Sequence, residues 1–395
     1  MNEADMTDNI TGYVAPGFEA VQDAFELNFA DARERSPSDL QDLGAGFAAY
    51  IGNELVVNLT GGWKDRRKSI AWTQDTLVPV YSTTKPISAL TACMELFDKL
   101  ENPYEIPVAQ VWPEFAAQGK EDVTIGQMLS HQAGLPGFVN EINPDLWFDS
   151  HALANELANT APMWTPGDGS GYHPLTWGYL IAELVWRVSG KTLGTQLKNK
   201  ITNADGADPN KEIIDFWIGT PVSEHERVSE IVRPTKAPEL GELNEFRKTA
   251  FLTKWASPNR GGSEWRTMEI PSANGHGTAQ AVARLYSAFA NEGNIGDNHI
   301  ISSEGQFEAF KQRRSFGQDR ILPYTMEFAA GVMRNNNRIY GPNIDTLGHA
   351  GWGGSMGFGD PDRNLSAAYV MNRQSNQLQT DERSQRLISA LYGCL

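Results

Sequence analysis

What most constrains this chain is the placement of its strand-like segments. They lie at its two ends, with a long helical stretch between them. Near the start, Phe18, Val21, Phe25 and Phe29 form one apolar stripe, which predicts an amphipathic helix. Residues 46–51 and 54–59 flank Gly52-Asn53 and read as a β-hairpin with a two-residue turn. At the far end, Phe328 to Met333, Gly354 to Gly359 and Leu365 to Asn372 read as strands. Asp360-Pro361-Asp362 supplies the turn between the last two, and Thr380 to Tyr392 reads as a closing helix. From about residue 100 to 275 short helices alternate with loops rich in proline and glycine. Examples are Thr124 to His131 and Thr176 to Val188, the latter stopped by Gly190. Thr278 to Asn291 is a further helix, with Ala281, Leu285 and Phe289 inward. Strands at both ends must meet to form a sheet. The expectation is therefore an α/β (α+β) fold, with one α/β domain from residues 1–80 and 276–395 and a mainly helical domain, 81–275, inserted between.

Composition narrows the function classes. Hydrophobic residues make up 40% of the 395, with 11 Trp and 17 Phe, ample for a large core. The net charge is -16 and no Lys/Arg run interrupts it, which argues against a nucleic-acid or anionic-membrane partner. The two cysteines, Cys93 and Cys394, do not make a disulfide framework. The first eight residues lack a basic n-region and an apolar h-region, and no apolar run approaches the ~20 residues that span a bilayer. A soluble, cytoplasmic protein is expected. No H-E-x-x-H or paired C-x-x-C occurs and the seven histidines are scattered, so neither a metal nor another cofactor is expected.

The stretch richest in chemistry is Ser82-Thr83-Thr84-Lys85. An apolar run broken by Pro79 precedes it. Ile87, Leu90, Met94 and Phe97 follow at helical spacing. Residues i and i+3 share a helix face, so Lys85 can reach the Ser82 oxygen. A serine hydroxyl needs a neighbouring base to act as a nucleophile, and a lysine qualifies when burial lowers its pKa from about 10.4. A helix start also offers free N–H groups to a developing oxyanion.

Other segments divide into decoys and candidates. Gly353-Gly354-Ser355-Met356-Gly357 matches G-x-S-x-G, but that elbow needs a later histidine, and His349 is the last in the chain. It also reads as strand to strand, so Ser355 belongs to a structural glycine-rich segment. Gly190-Lys191-Thr192 resembles the end of a P-loop, but Val185 stands where the first glycine is needed. Tyr172 sits in a glycine-rich loop just before a helix. It is either a half-buried aromatic or a phenol poised to exchange a proton with Ser82. His349-Ala350-Gly351-Trp352 reads as a strand edge stripped of large side chains, either a bend or a place where substrate approaches the backbone.

In order and spacing these segments resemble the serine penicillin-recognising superfamily, most of all the class C β-lactamases and family VIII carboxylesterases. The likeness runs from about Phe18 to Leu391. It rests on Ser82-x-x-Lys85, Ser130-His131-Gln132-Ala133-Gly134-Leu135-Pro136, Trp164-Thr165-Pro166-Gly167 leading to Tyr172, and Gly348-His349-Ala350-Gly351-Trp352-Gly353-Gly354. The resemblance implies an antiparallel sheet flanked by helices plus a helical domain, with the active site at their interface. It implies Ser82 as the acylated nucleophile and Lys85 with Tyr172 as shared general base and acid. The backbone N–H groups of Ser82 and Trp352 would form the oxyanion hole.

Two departures matter. The β-lactamase Lys-Thr-Gly is His349-Ala350-Gly351 here, and the Asn of Tyr-x-Asn is Pro174. Both remove groups that hold an anionic lactam and point toward neutral esters. The expectation is a serine carboxylesterase acting on a small ester and water. His349, Gly351, Trp352, Phe138 and Trp147 are its candidate substrate contacts. The alternatives are a β-lactamase, D-amino-acid peptidase or acyltransferase on the same scaffold, and a catalytically inactive binding protein.

Overall fold

The computed structural model describes residues 9–30 and 39–395. Its centre is a nine-stranded sheet in which every neighbouring pair is antiparallel. The order across it is Thr11–Val14, Glu54–Gly62, Gly44–Ile51, Leu365–Met371, Met356–Asp360, Leu347–Ala350, Met333–Arg334, Thr325–Phe328 and Ser315–Gln318. The N-terminal hairpin thus pairs directly with a C-terminal strand, in a register from Leu365↔Ile51 to Met371↔Ala45.

Alternation along the strands explains the layers. In Gly44–Ile51, Ala45, Phe47 and Ala49 point to one core, while Ala48 and Tyr50 point to the other. The first face is covered by the helices Glu19–Phe29 and Glu382–Gly393, through Val21, Phe25, Leu387 and Leu391. The second is covered by Ala279–Ala290, capped at its start by Thr278. That second core continues through the helix Thr84–Lys99 into Thr176–Ser189, which Gly190 ends in the left-handed region. None of the helices among the described residues is long and apolar enough to cross a membrane.

The expected strand Phe328 to Met333 is instead a reversal between two short strands. Phe328 pairs with Met333, and Ala329 N–H donates to Val332 O. Gly331 drives this: its φ is +86°, and a Cβ there would lie 2.7 Å from Ala89 and 2.8 Å from Trp177. The strand expected from Gly354 starts later, at Met356, because Gly354 N–H closes a turn onto Gly351 O.

A small three-stranded sheet sets up the site. Val78–Pro79 pairs with His276–Gly277, which pairs with Phe216–Trp217. Val80 N–H then donates to Gly275 O, fixing the chain just ahead of Ser82.

Candidate active site

The chain turns sharply at Tyr81, whose φ of +49° puts a bulky residue in the left-handed region. One 3-10 turn, Tyr81–Thr83, then feeds the helix Thr84–Lys99. Surrounding elements hold this strained turn. Tyr286 O–H donates to Thr83 O at 2.8 Å, and Gly275 N–H donates to Thr84 Oγ1 at 3.0 Å. Ser355 O–H donates to Val80 O at 2.8 Å. Ser355 is therefore a buried strut that joins the start of the strand Met356–Asp360 to the residue after Val78–Pro79.

Lys85 is fully buried, with Nζ 3.3 Å from Ser82 Oγ. It donates to Pro174 O at 2.8 Å and Ser272 O at 2.9 Å, and no carboxylate among the described residues pairs with it. Burial pulls its pKa well below that of a free lysine. A neutral amine has two N–H bonds and one lone pair. In its neutral form the two carbonyls can take both N–H groups, which leaves the lone pair for the Ser82 hydroxyl. Pro174 offers no side-chain donor, but its carbonyl does the orienting.

Tyr172 closes the other side. Its phenol is buried near Ser82, and burial pushes its pKa above the ordinary 10, with Ser82 acting to lower it. Its ring lies 4.8 Å from Lys85 Nζ and stacks on Phe328. The loop that carries it is fixed from a distance by Asp319, a buried carboxylate. Asp319 accepts the N–H groups of Tyr172, Ile321 and Leu322 and the O–H of Ser170. Nothing near Asp319 in the sequence marks this role, because its partner is 147 residues away.

The Ser130-His131-Gln132 segment forms a platform beneath this loop. His131 has φ +64°, and its Nδ1 accepts the His173 N–H at 3.1 Å. Gln132 Nε2 donates to Ser130 Oγ and Arg314 O.

Gly351 brings the C-terminal sheet to the nucleophile turn. A Cβ there would lie 2.1 Å from Ser355 Oγ and 2.2 Å from Val80 O, so only glycine permits the approach. It acts through backbone packing. The next residue, Trp352, has an N–H that finds no protein acceptor among the described residues, and the same holds for Ser82. Trp352 O accepts from Gln374 Nε2 at 2.9 Å, which holds this segment in place.

His349 is buried on the same side of the site. Its Nδ1–H donates to Ala350 O at 2.8 Å, leaving Nε2 unprotonated and without a partner. Burial, with Lys85 nearby, takes its pKa down to about 3. It does not become a cation near pH 6.5, and it remains a neutral wall 5.9 Å from the Tyr172 ring. Phe138 and Trp147 are buried against each other, and Trp147 against Tyr179, in the main core. Their rings are committed to packing. Trp352 is half-buried against Phe251, with the Arg260 guanidinium 5.8 Å over its ring.

The Mycobacterium tuberculosis protein described as esterase/beta-lactamase LipL is 31% identical over 377 residues, 92% of this chain and 83% of that protein. A penicillin-binding protein homolog from Caulobacter crescentus superposes with a TM-score of 0.90 at 46% identity, over 98% of this chain and all of that one. A family VIII carboxylesterase gives 0.86 at 35% identity, again over 98% and 100%. The family described as Beta-lactamase matches residues 30–391, and the chain belongs to it.

Proposed function

We propose that this protein is a serine carboxylesterase that hydrolyses small carboxylic esters through an acyl-enzyme on Ser82. Membership of the family makes it a serine hydrolase. The observation that carries the finer assignment is the buried Lys85, held by two carbonyls 3.3 Å from Ser82 Oγ, with a pKa that burial pulls well below that of a free lysine. Lys85 takes the Ser82 proton as Oγ bonds to the ester carbonyl carbon. The Ser82 and Trp352 amides receive the oxyanion, where one such donor is typically worth about 3 kcal/mol. The phenol of Tyr172, kept neutral by burial, protonates the alkoxide as the C–O bond breaks, and alcohol leaves. Water then attacks the acyl-enzyme, with Lys85 and Tyr172 exchanging the same protons in reverse.

The choice of ester over lactam rests on position 349. A neutral histidine there offers an anionic lactam no fixed charge. The likeness to a family VIII carboxylesterase supports the same choice.

Ser82→Ala is expected to abolish hydrolysis of p-nitrophenyl esters. A phosphonate ester should add one adduct, which peptide mass spectrometry places on Ser82. An adduct on Ser355, or a chromogenic cephalosporin turned over with a kcat/KM at or above that of a short-chain p-nitrophenyl ester, would overturn the assignment.

A further inference from the structure

A cavity of about 560 Å³ opens beside the nucleophile turn, and it is built from two kinds of wall. Tyr81, the residue before Ser82, lines it together with Pro79, Val228 and Trp265, and the Tyr81 and Trp265 rings lie 6.1 Å apart. The far wall holds Arg233, Arg260 and Arg266.

These arginines are under-compensated. Arg233 donates to Arg260 O, Arg260 to Ser257 Oγ and Arg266 to His225 O, and none has a carboxylate partner among the described residues. The carboxylates on the same cavity are otherwise engaged or turned to solvent. Glu230 pairs with Arg66 at 2.9 Å, Asp65 accepts from Ser69 and Ile70, and Glu226 is exposed. Including Lys64, five cationic side chains face three carboxylates, in a chain whose net charge is -16. Half-buried Arg260 is further disfavoured by burial and by Arg233, the condition that a bound anion relieves.

Position relative to the chemistry decides which part of a substrate would enter. Arg260 lies over Trp352, whose amide faces the carbonyl oxygen in the proposed mechanism, and Tyr81 leads directly into Ser82. Ser82, Trp352 and Tyr172 do not line the cavity themselves, so it adjoins the reacting atoms through Tyr81 and Arg260. Because Tyr172 serves the leaving alcohol in the proposed mechanism, the acyl chain is the end of the ester left for this side, along the aromatic wall toward the arginines.

We propose that this cavity is an acyl subsite for a carboxylate, so that the preferred substrates are monoesters of dicarboxylic acids. The proposal rests on the esterase function above and replaces the expected neutral acyl group with an anionic one. An apolar wall suits the methylene chain, and guanidinium groups suit a terminal carboxylate through charge-assisted hydrogen bonds.

The test compares p-nitrophenyl hemiadipate with p-nitrophenyl hexanoate in wild type, Arg260→Gln, Arg233→Gln and Arg260→Lys. Wild type is expected to favour the hemiadipate at least ten-fold in kcat/KM, with the preference reduced by added salt. Each Gln variant should cut the ratio of the two substrates at least five-fold, and Arg260→Lys should retain most of it. Calorimetric binding of adipate to Ser82→Ala protein provides a readout independent of turnover. If neither ester is hydrolysed yet adipate binds and Arg260→Gln abolishes binding, the esterase assignment fails and the anion site stands. If esters are hydrolysed with hexanoate equal or preferred, or with a hemiadipate preference that both Gln variants keep, the subsite proposal is overturned. Failure of Ser82→Ala to bind adipate at millimolar concentration overturns it too.

Discussion

A buried amine with two carbonyls on its hydrogens has one direction left for its lone pair. At Lys85 that direction is the Ser82 hydroxyl, which separates the roles of two groups with similar reference pKa values. Burial lowers the amine and raises the phenol, which suits the proposed assignment of lysine as base and tyrosine as acid. Lys85→Ala and Tyr172→Phe are each expected to lower kcat by at least ~10², the range of general acid–base groups. Their losses should not add in the double variant, because both act on one proton path. Single-turnover kinetics on a p-nitrophenyl ester measures this, and additive losses would show independent roles. Ester hydrolysis should also fall as pH drops through the lowered Lys85 pKa, since only the unprotonated amine accepts the serine proton.

At the level of elements, the site is a meeting of turns that the sheet and helices hold still. Gly351→Ala pushes a Cβ into Val80 O and Ser355 Oγ, so the strand Leu347–Ala350 and its Trp352 amide must retreat from Ser82. The expected result is a loss of about 1–3 kcal/mol in stability, as for over-packed cores, with a fall in kcat larger than any rise in KM. Denaturant titration and steady-state kinetics on the same sample measure both. Asp319→Asn should loosen the Tyr172 loop, lowering kcat while Ser82 remains reactive toward a phosphonate ester. A loss of labelling together with kcat would show that the carboxylate supports more than the tyrosine loop.

How far such features can be read from sequence depends on their range. Ser82, Lys85 and the helix behind them share one helical turn, so their spacing was legible. So were the hairpin around Gly52 and the helix capped by Thr278, because each is a local pattern. Asp319, Ser272 and Gln374 were not, since each acts through a partner far along the chain. The reversal at Gly331 was missed because apolar residues on both sides imitate a continuous strand. Phe138 and Trp147 look the same in sequence whether they line a pocket or fill a core, and here they pack against aromatic neighbours.

For the molecule as a whole, burial of neutral bases fixes how it meets acid. His173, His276 and His349 are each held down to about 3, and His131 is also lowered, chiefly by burial. The unfolded chain protonates these groups near pH 6.5, the folded chain only well below that, near 3 for His173, His276 and His349. Their contribution is therefore intact above about pH 6.5 and is lost as pH falls, at about 1.4 kcal/mol per group per pH unit. Asp42 opposes them below pH 6, because burial raises its carboxyl to about 6 and the folded state then binds that proton more tightly. The histidines outnumber it, so the urea midpoint should drop between pH 7 and 5, and His276→Phe should make that drop shallower. A midpoint that stays level across this range would show that these imidazoles titrate normally.

The pairing of Gly44–Ile51 with Leu365–Met371 also has a consequence in time. Gly44 N–H and the Asn372 side chain that receives it are separated by 328 residues. At roughly 5–20 residues per second, a ribosome takes about 15–65 s to make that stretch. Through that interval the N-terminal hairpin has one edge without its partner strand, and the Ser82 turn has no Trp352 amide opposite it. The nascent chain therefore carries Ser82, the proposed nucleophile, long before it carries the segments that surround it in the fold. Hydrolytic activity is expected to appear only after the last strand has emerged, and the waiting hairpin edge is where a chaperone would be most needed.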